Sequence, residues 1–203
     1  MIGIRQKLVL GFGGLLLIVV AIGVLTIRHI DALGGAIDVI LRQNYRSVVA
    51  CQKMTESLDR IDSGALFTFA GHYDDGMTTI HENEQNFRHA LRVELGNITL
   101  PGEHQKAMQI NTLFFRYNFI IKQVTDLSIS FPERQRRYFT DLLPLSQQIK
   151  QLSAQVLEMN QANMQAANDN ARQMAASAPN YLRFTIEGHA CLLMRSGDLI
   201  AKL

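Results

Sequence analysis

The sequence predicts an all-α protein in which an N-terminal transmembrane helix continues into an up-down-up-down four-helix bundle with two long and two short helices. Three observations support this fold class: an uncharged apolar run near the N-terminus, apolar residues spaced three and four apart, and Gly, Asp and Pro clusters between the periodic segments. They divide the chain into a cytoplasmic N-terminus (1–7), a membrane span (8–27), a bundle outside the cytoplasm (28–177) and an atypical tail (178–203).

The apolar run Leu8–Ile27 reads LVLGFGGLLLIVVAIGVLTI and contains no charged residue. A helix of this length spans about 30 Å, the thickness of the hydrocarbon core of a bilayer. Because Arg5 and Lys7 precede the run, the N-terminus is expected in the cytoplasm and the chain after Ile27 outside it. A cleaved signal peptide is the alternative, but the best small-residue cleavage site, Ala32–Ala36, lies beyond several charged residues.

The first predicted helix continues from the membrane run to about Ala70. A stripe with steps of three and four, and an irregular step after Asn44, is typical of a coiled-coil seam. The stripe consists of Ile30, Leu33, Ile37, Ile40, Asn44, Val48, Cys51, Thr55, Leu58, Asp62, Ala65 and Phe69. Gly71 and the cluster Asp74–Gly76 are expected to end this helix.

Three more helices follow. The second is predicted over Met77–Leu95 and the third, rich in aromatic residues and therefore expected in the core, over Glu103–Ser128. The fourth is predicted from Ser130 to about Ser177, with heptad spacing throughout and a bend at Pro144.

Helix lengths predict a dimer. The first and fourth helices extend about 60–70 Å and the middle two about 30–40 Å. The short pair then lies far from the membrane, and the membrane-proximal part of one chain holds only two helices. A second copy would cover their apolar stripes, so we expect a parallel homodimer with the first helix of each subunit near the axis.

Composition excludes several function classes. A net charge of +2 argues against nucleic acid as the main partner. Cys51 and Cys191 do not form a disulfide framework, and the histidines and cysteines lack zinc-ligand spacing. The glycines at Gly11–Gly14 lie within the apolar run and lack the Lys-Ser/Thr of a phosphate loop. With no catalytic motif either, we expect no enzymatic activity, metal or cofactor.

Three asparagines predict a polar layer. Asn44 lies on the apolar stripe of the first helix, and Asn160 and Asn163 on the fourth helix are expected at a similar level. A buried amide layer sets helix register and oligomeric state. In a second interpretation, the layer and the nearby Arg42 and Arg46 bind a small anion at the dimer seam, since guanidinium groups suit such ligands.

Asp62 is a second polar residue on the apolar stripe. A buried carboxylate needs a partner, and the candidates are Arg60 on the same helix, Arg116 and Lys122 on the third helix, and Arg88 and Arg92 on the second. A structural ion pair or polar contact is favoured here over a ligand contact.

The first helix resembles a known family. The resemblance depends on the order of polar and apolar residues over about 24 positions. These include residues 44–48 (NYRSV), 58–63 (LDRIDS) and 65–67 (ALF). They look like helix 1 of the periplasmic sensor module of KinB-like sensor histidine kinases, and the resemblance covers about residues 1–178. It implies a four-helix bundle between two helices in the bacterial inner membrane, the second leading to a HAMP linker and a kinase core.

The sequence departs from this family after Ala178. The second apolar run is expected there, but Arg183, Glu187, Arg195 and Asp198 interrupt the segment. We therefore expect a truncated or frameshifted product without a kinase core, with a short membrane-tethered protein as the alternative.

The resemblance implies a signal-input module of a two-component system, acting as a homodimer or in a mixed dimer with a full-length sensor kinase. A chemoreceptor ligand-binding module and a non-catalytic structural or adaptor protein are the alternative functions.

Overall fold

The computed structural model describes the backbone of residues 4–201 and the side chains from residue 5 to residue 176, with gaps before residue 42. The chain is 91% helical, and the described residues form no strand. The predicted all-α class is therefore confirmed. The predicted tail, residues 178–203, lies outside the residues whose side chains are described.

The described residues form six α-helices and two π-helical segments. The α-helices are α1 (Ile4–Asp38), α2 (Tyr45–Phe69), α3 (Tyr73–Leu95), α4 (Glu103–Thr125), α5 (Phe131–Arg137) and α6 (Leu143–Ala201). The π-helical segments are Val39–Asn44, between α1 and α2, and Tyr138–Leu142, between α5 and α6.

The π-helical segments coincide with the two irregularities in the sequence. The first ends at Asn44, where the stripe has its irregular step. The second ends two residues before Pro144, which has no N–H to donate to the carbonyl of Thr140. The expected disturbance by this proline is thus accommodated by a wider helical turn.

One predicted boundary is wrong. The second helix is predicted to begin at Met77, after the cluster Asp74–Gly76, but α3 already begins at Tyr73. The turn is shorter because Gly71 adopts a positive φ of 93°, and Asp74 and Asp75 lie in the first turn of α3, where the helix dipole favours negative charge.

The chain divides into two compact units. One comprises residues 1–38 and 166–203, and the other comprises Val39–Gln165. In the first, the stretch Gly11–Arg28 of α1 has a mean hydropathy of 2.2 and is not buried, so it is long and apolar enough to cross a membrane. The second, called the packed unit below, is shorter than the predicted bundle of residues 28–177.

The core of the packed unit combines apolar residues from four helical stretches. Its largest fully buried side chains are Met54, Leu58 and Ile61 of α2, Phe87 of α3, Ile110, Phe114, Tyr117 and Ile121 of α4, and Leu142 and Ile149 from the second π-helical segment and α6. Not all aromatic residues of α4 are in this core: Phe115 and Phe119 are exposed, because consecutive helical residues point about 100° apart.

Two glycines hold α2 and α3 in backbone contact. A Cβ added to Gly64 would lie 2.8 Å from the carbonyl oxygen of Gly76, and one added to Gly76 would lie 2.6 Å from that of Gly64. Side chains larger than hydrogen do not fit between these backbones. This contact fixes the register of the α2–α3 hairpin.

Candidate functional site

The structure brings Asn44 and Asn163 together. Nδ2 of Asn163 donates a hydrogen bond of 3.1 Å to Oδ1 of Asn44 and thereby joins α6 to the end of the first π-helical segment. Asn44 is fully buried, and its own Nδ2 has no hydrogen-bond partner. Asn163 is half-buried.

Asn160 lies one turn before Asn163 and bonds to a different helix. Its Nδ2 donates to Oε1 of Glu103 at 2.6 Å and to the carbonyl oxygen of Val156 at 3.0 Å. Its Oδ1 is buried without a partner. Asn160 therefore connects α6 to the start of α4.

Glu103 is a buried carboxylate with three hydrogen-bond donors. Its Oε2 accepts hydrogen bonds from the backbone N–H groups of Thr99, at 2.7 Å, and Leu100, at 2.9 Å. Its Oε1 accepts the bond from Asn160. Three donors on two oxygens suit the ionised form of the group.

Glu94 has the opposite environment. It is fully buried near the end of α3, and neither of its oxygens has a partner within hydrogen-bond geometry. Burial raises the pKa of Glu94 to about 7; the neighbouring Glu103 adds to the rise, and the Ser47 hydroxyl opposes it. A buried carboxyl without a donor in good hydrogen-bond geometry is more stable when it is neutral.

The α3–α4 loop is fastened beside this pair to α2 and to the first π-helical segment. Nδ2 of Asn97 donates to the carbonyl oxygen of Gln43 at 2.6 Å and to Oγ of Ser47 at 2.9 Å. Cys51 is buried nearby, and burial, together with Glu94 and Glu103, raises the pKa of its thiol. This neutral thiol is unsuited to nucleophilic chemistry.

These residues form one cluster, which we call the polar layer. It consists of Asn44, Ser47, Glu94, Asn97, Glu103, Asn160 and Asn163. The sequence predicts its three asparagines other than Asn97, but not its carboxylates. The sequence does contain a signal for Glu94, which continues the helical spacing of the apolar residues Phe87 and Leu91.

Of the five residues predicted to share an anion site, Asn163 bonds to Asn44, and Asn160 bonds to Glu103. Arg42 is exposed within the first π-helical segment, and Arg46 is exposed on α2. Arg46 follows Asn44 by two residues, which places the two side chains on different faces of the helical path. The polar layer therefore contains Asn44, Asn160 and Asn163 without the arginines.

Arg46 instead lines a groove of about 580 Å³ between α2 and α3, which Lys53 and His89 also line. Many of the polar side chains that line the groove are bonded to neighbouring groups of the same helix. Lys53 forms a 2.8 Å ion pair with Glu56, and Asn83 donates to the carbonyl oxygen of Thr79 at 2.8 Å. The groove is thus a solvated surface feature with most of its polar groups already paired.

Asp62 has a partner other than the ones considered from the sequence. Its Oδ1 accepts a 2.7 Å hydrogen bond from the hydroxyl of Tyr138 in the second π-helical segment. Arg60 and Arg116 are both exposed, and no salt bridge between described residues joins either of them to Asp62. Arg60 lies two residues before Asp62 and so points away from it.

No group of three or more His, Cys, Asp or Glu residues within the described part of the chain is arranged to hold a metal ion. Comparison with protein-family models, with curated protein sequences and with solved structures finds no match to this chain. The resemblance to KinB-like sensor modules therefore stays a prediction.

Proposed function

We propose that this chain is the membrane-anchored periplasmic signal-input module of a two-component sensor histidine kinase. In this proposal Leu8–Ile27 is the anchor in the bacterial inner membrane, and residues 28–177 form an up-down-up-down four-helix bundle. The apolar stretch of α1 and the four helical stretches around one core support this architecture.

The polar layer is the observation that carries the proposal. Asn44, Asn160 and Glu94 are all fully buried, and each has at least one polar atom without a partner. Each such atom costs about 1–3 kcal/mol, which an apolar side chain would avoid. A cluster of buried polar groups that lowers stability in this way is a candidate for a functional role.

The position of the layer suits signal transmission. Its side-chain hydrogen bonds join α6 to α4, α6 to the end of the first π-helical segment, and the α3–α4 loop to α2. Asn44 lies at the end of that π-helical segment, which follows α1. Packed helices have discrete arrangements, so a rearranged layer is expected to shift α6 relative to α2 by an ångström-scale step. Such a step is the output that a sensor module passes to a kinase.

The proposal includes a homodimer, or a mixed dimer with a full-length kinase. The stripe of α2 packs into the core of its own unit, so it is not available to a partner over residues 44–69. Met108, Phe115 and Phe119 are exposed on one face of α4 and offer an apolar surface to a second copy.

A chimera tests the function. Residues 1–177 are fused to the second transmembrane helix, HAMP linker and kinase core of a sensor kinase, and phosphorylation of its response regulator is measured. Asn163→Leu is expected to change the output about fivefold or more, because it breaks the bond to Asn44. Gln161→Leu, at an exposed position of α6, is the matched control. Equal output from the original chimera and both variants, all inserted and folded, would count against the sensory function.

A further inference from the structure

Two buried carboxylates meet where α3 ends and α4 begins. Glu94 and Glu103 both have no exposed surface, and each influences the charge state of its surroundings, including Cys51. No salt bridge between described residues includes either of them. Two negative charges in such a site, without a cation, repel each other strongly.

The hydrogen bonds decide which of the two holds a proton. Glu103 accepts three hydrogen bonds, from Asn160 and from the backbone of Thr99 and Leu100, so its charge is stabilised. Glu94 has none with good geometry. The proton therefore belongs on Glu94, next to the Glu103 anion.

We propose that the stimulus of this module is the proton, bound by Glu94 beside the ionised Glu103. This inference names the ligand of the proposed sensor and rests on that function for its biological meaning. The proton needs no cavity, which fits a cluster that lies within the core of the packed unit.

Loss of the proton has a structural consequence in the polar layer. The groups that face Glu94 are Ser47 and the neutral thiol of Cys51 from α2 and the anion Glu103 from α4. None of them supplies a positive charge. Repulsion between the two carboxylates is relieved when Glu103 moves away, which breaks its bond to Asn160. This weakens the contact between α4 and α6, which the bond from Lys106 to Gln155 also joins.

The direction of the pH effect follows from the shift in pKa. The pKa of Glu94 is about 7 in the folded chain, against 4.5 for an unperturbed glutamate, so the folded state binds the proton more tightly. The stabilisation is complete below pH 4.5 and is lost as the pH rises through about 7. The folding equilibrium constant is expected to fall about 300-fold over this window, from a pKa of 4.5 to one of about 7, and to level off above it.

Infrared difference spectroscopy of the full chain in detergent micelles gives a direct test. Between about pH 5 and about pH 9, a protonated carboxyl band is expected to disappear with a midpoint near 7. Glu94→Gln should abolish this titration, and Glu82→Gln, an exposed glutamate on the same helix, should retain it. If Glu94→Gln does not fold, the wild-type titration decides alone: a folded chain without a carboxyl band that titrates above about pH 6 overturns the proposal.

Thermal unfolding provides a second readout. The wild type and Glu82→Gln should lose stability from acid to neutral pH, whereas Glu94→Gln should lose less of it. Identical pH profiles for the three proteins would overturn the assignment to Glu94.

The chimera separates this inference from the proposed function. An output that responds to Asn163→Leu, in a chain without the titrating band, overturns the proton site alone. A titrating band with an output that responds neither to pH nor to the layer variants supports the proton site and counts against sensing.

Discussion

The two ends of the packed unit are built differently. At one end, which we call the glycine end, Gly64 and Gly76 bring two backbones into contact, and the rings of Phe69 and Tyr138 meet edge to face at 5.6 Å. At the other end lies the polar layer, where amide and carboxyl side chains lie between the helices and Asn44, Asn160 and Glu94 have unpartnered buried atoms. Arg134, whose guanidinium lies over the Phe69 ring at the glycine end, has unpartnered buried atoms as well, so the ends differ mainly in backbone contact and ring packing. The contrast lies within single helices, because α2 and α3 each run through both ends.

This difference indicates where the unit is able to change. Backbone contact and ring packing leave few alternative arrangements, since any shift opens a gap or a clash. A layer with unsatisfied donors and acceptors has other pairings of similar energy. We therefore expect local opening to cost less free energy at the polar layer than at the glycine end.

The largest expected effect is at the glycine end. Gly76→Ala places a Cβ 2.6 Å from the carbonyl oxygen of Gly64, and a backbone atom cannot move aside cheaply. We expect a loss of about 3 kcal/mol or more in the free energy of unfolding, measured by chemical denaturation with circular dichroism. Gly96→Ala is the control, since the nearest atom to its added Cβ is 3.4 Å away. Similar losses in both variants would contradict the tight contact.

The next effect comes from the one well-bonded carboxylate of the polar layer. Glu103→Ala leaves the N–H groups of Thr99 and Leu100 and the amide of Asn160 without their acceptor. We expect a loss of about 2–3 kcal/mol at neutral pH in the same denaturation experiment. The exposed Glu82→Ala serves as the reference. An unchanged stability would show that these three bonds are not essential to the layer.

A smaller effect is expected for Tyr138→Phe. The substitution keeps the ring that packs on Phe69 but removes the hydroxyl that donates to Asp62. The expected loss is about 1–1.5 kcal/mol by thermal or chemical unfolding. The exposed Tyr45→Phe should change little. If the two variants have the same free energy of unfolding, the bond to Asp62 does not contribute to the stability of the glycine end.

The smallest effect is expected for Asn44→Leu. The variant removes a buried Nδ2 without a partner and loses only the bond to the half-buried Asn163, so gain and loss nearly cancel. We expect a change within about 0.5 kcal/mol, combined with a clear change in the output of the chimera. A loss as large as that of Glu103→Ala would make Asn44 a structural residue and weaken the contrast between the two ends.

Periodicity and turn signals in the sequence determined the all-α class, the apolar run of α1 and most helix boundaries. These features depend on local properties: the spacing of apolar residues, the length of an uncharged run and the conformation of Gly and Pro. Asn44 was also identifiable, because an amide on an apolar stripe is unusual.

The tertiary structure alone decided which polar groups meet. It paired Asp62 with Tyr138 instead of an arginine, separated Arg46 from the asparagines, and placed Glu94 beside Glu103. Such contacts depend on the register between helices, which the backbone contact of Gly64 and Gly76 fixes and which one-dimensional spacing does not encode. Charge attraction between exposed side chains is too weak to set that register, whereas close packing and buried hydrogen bonds are strong enough.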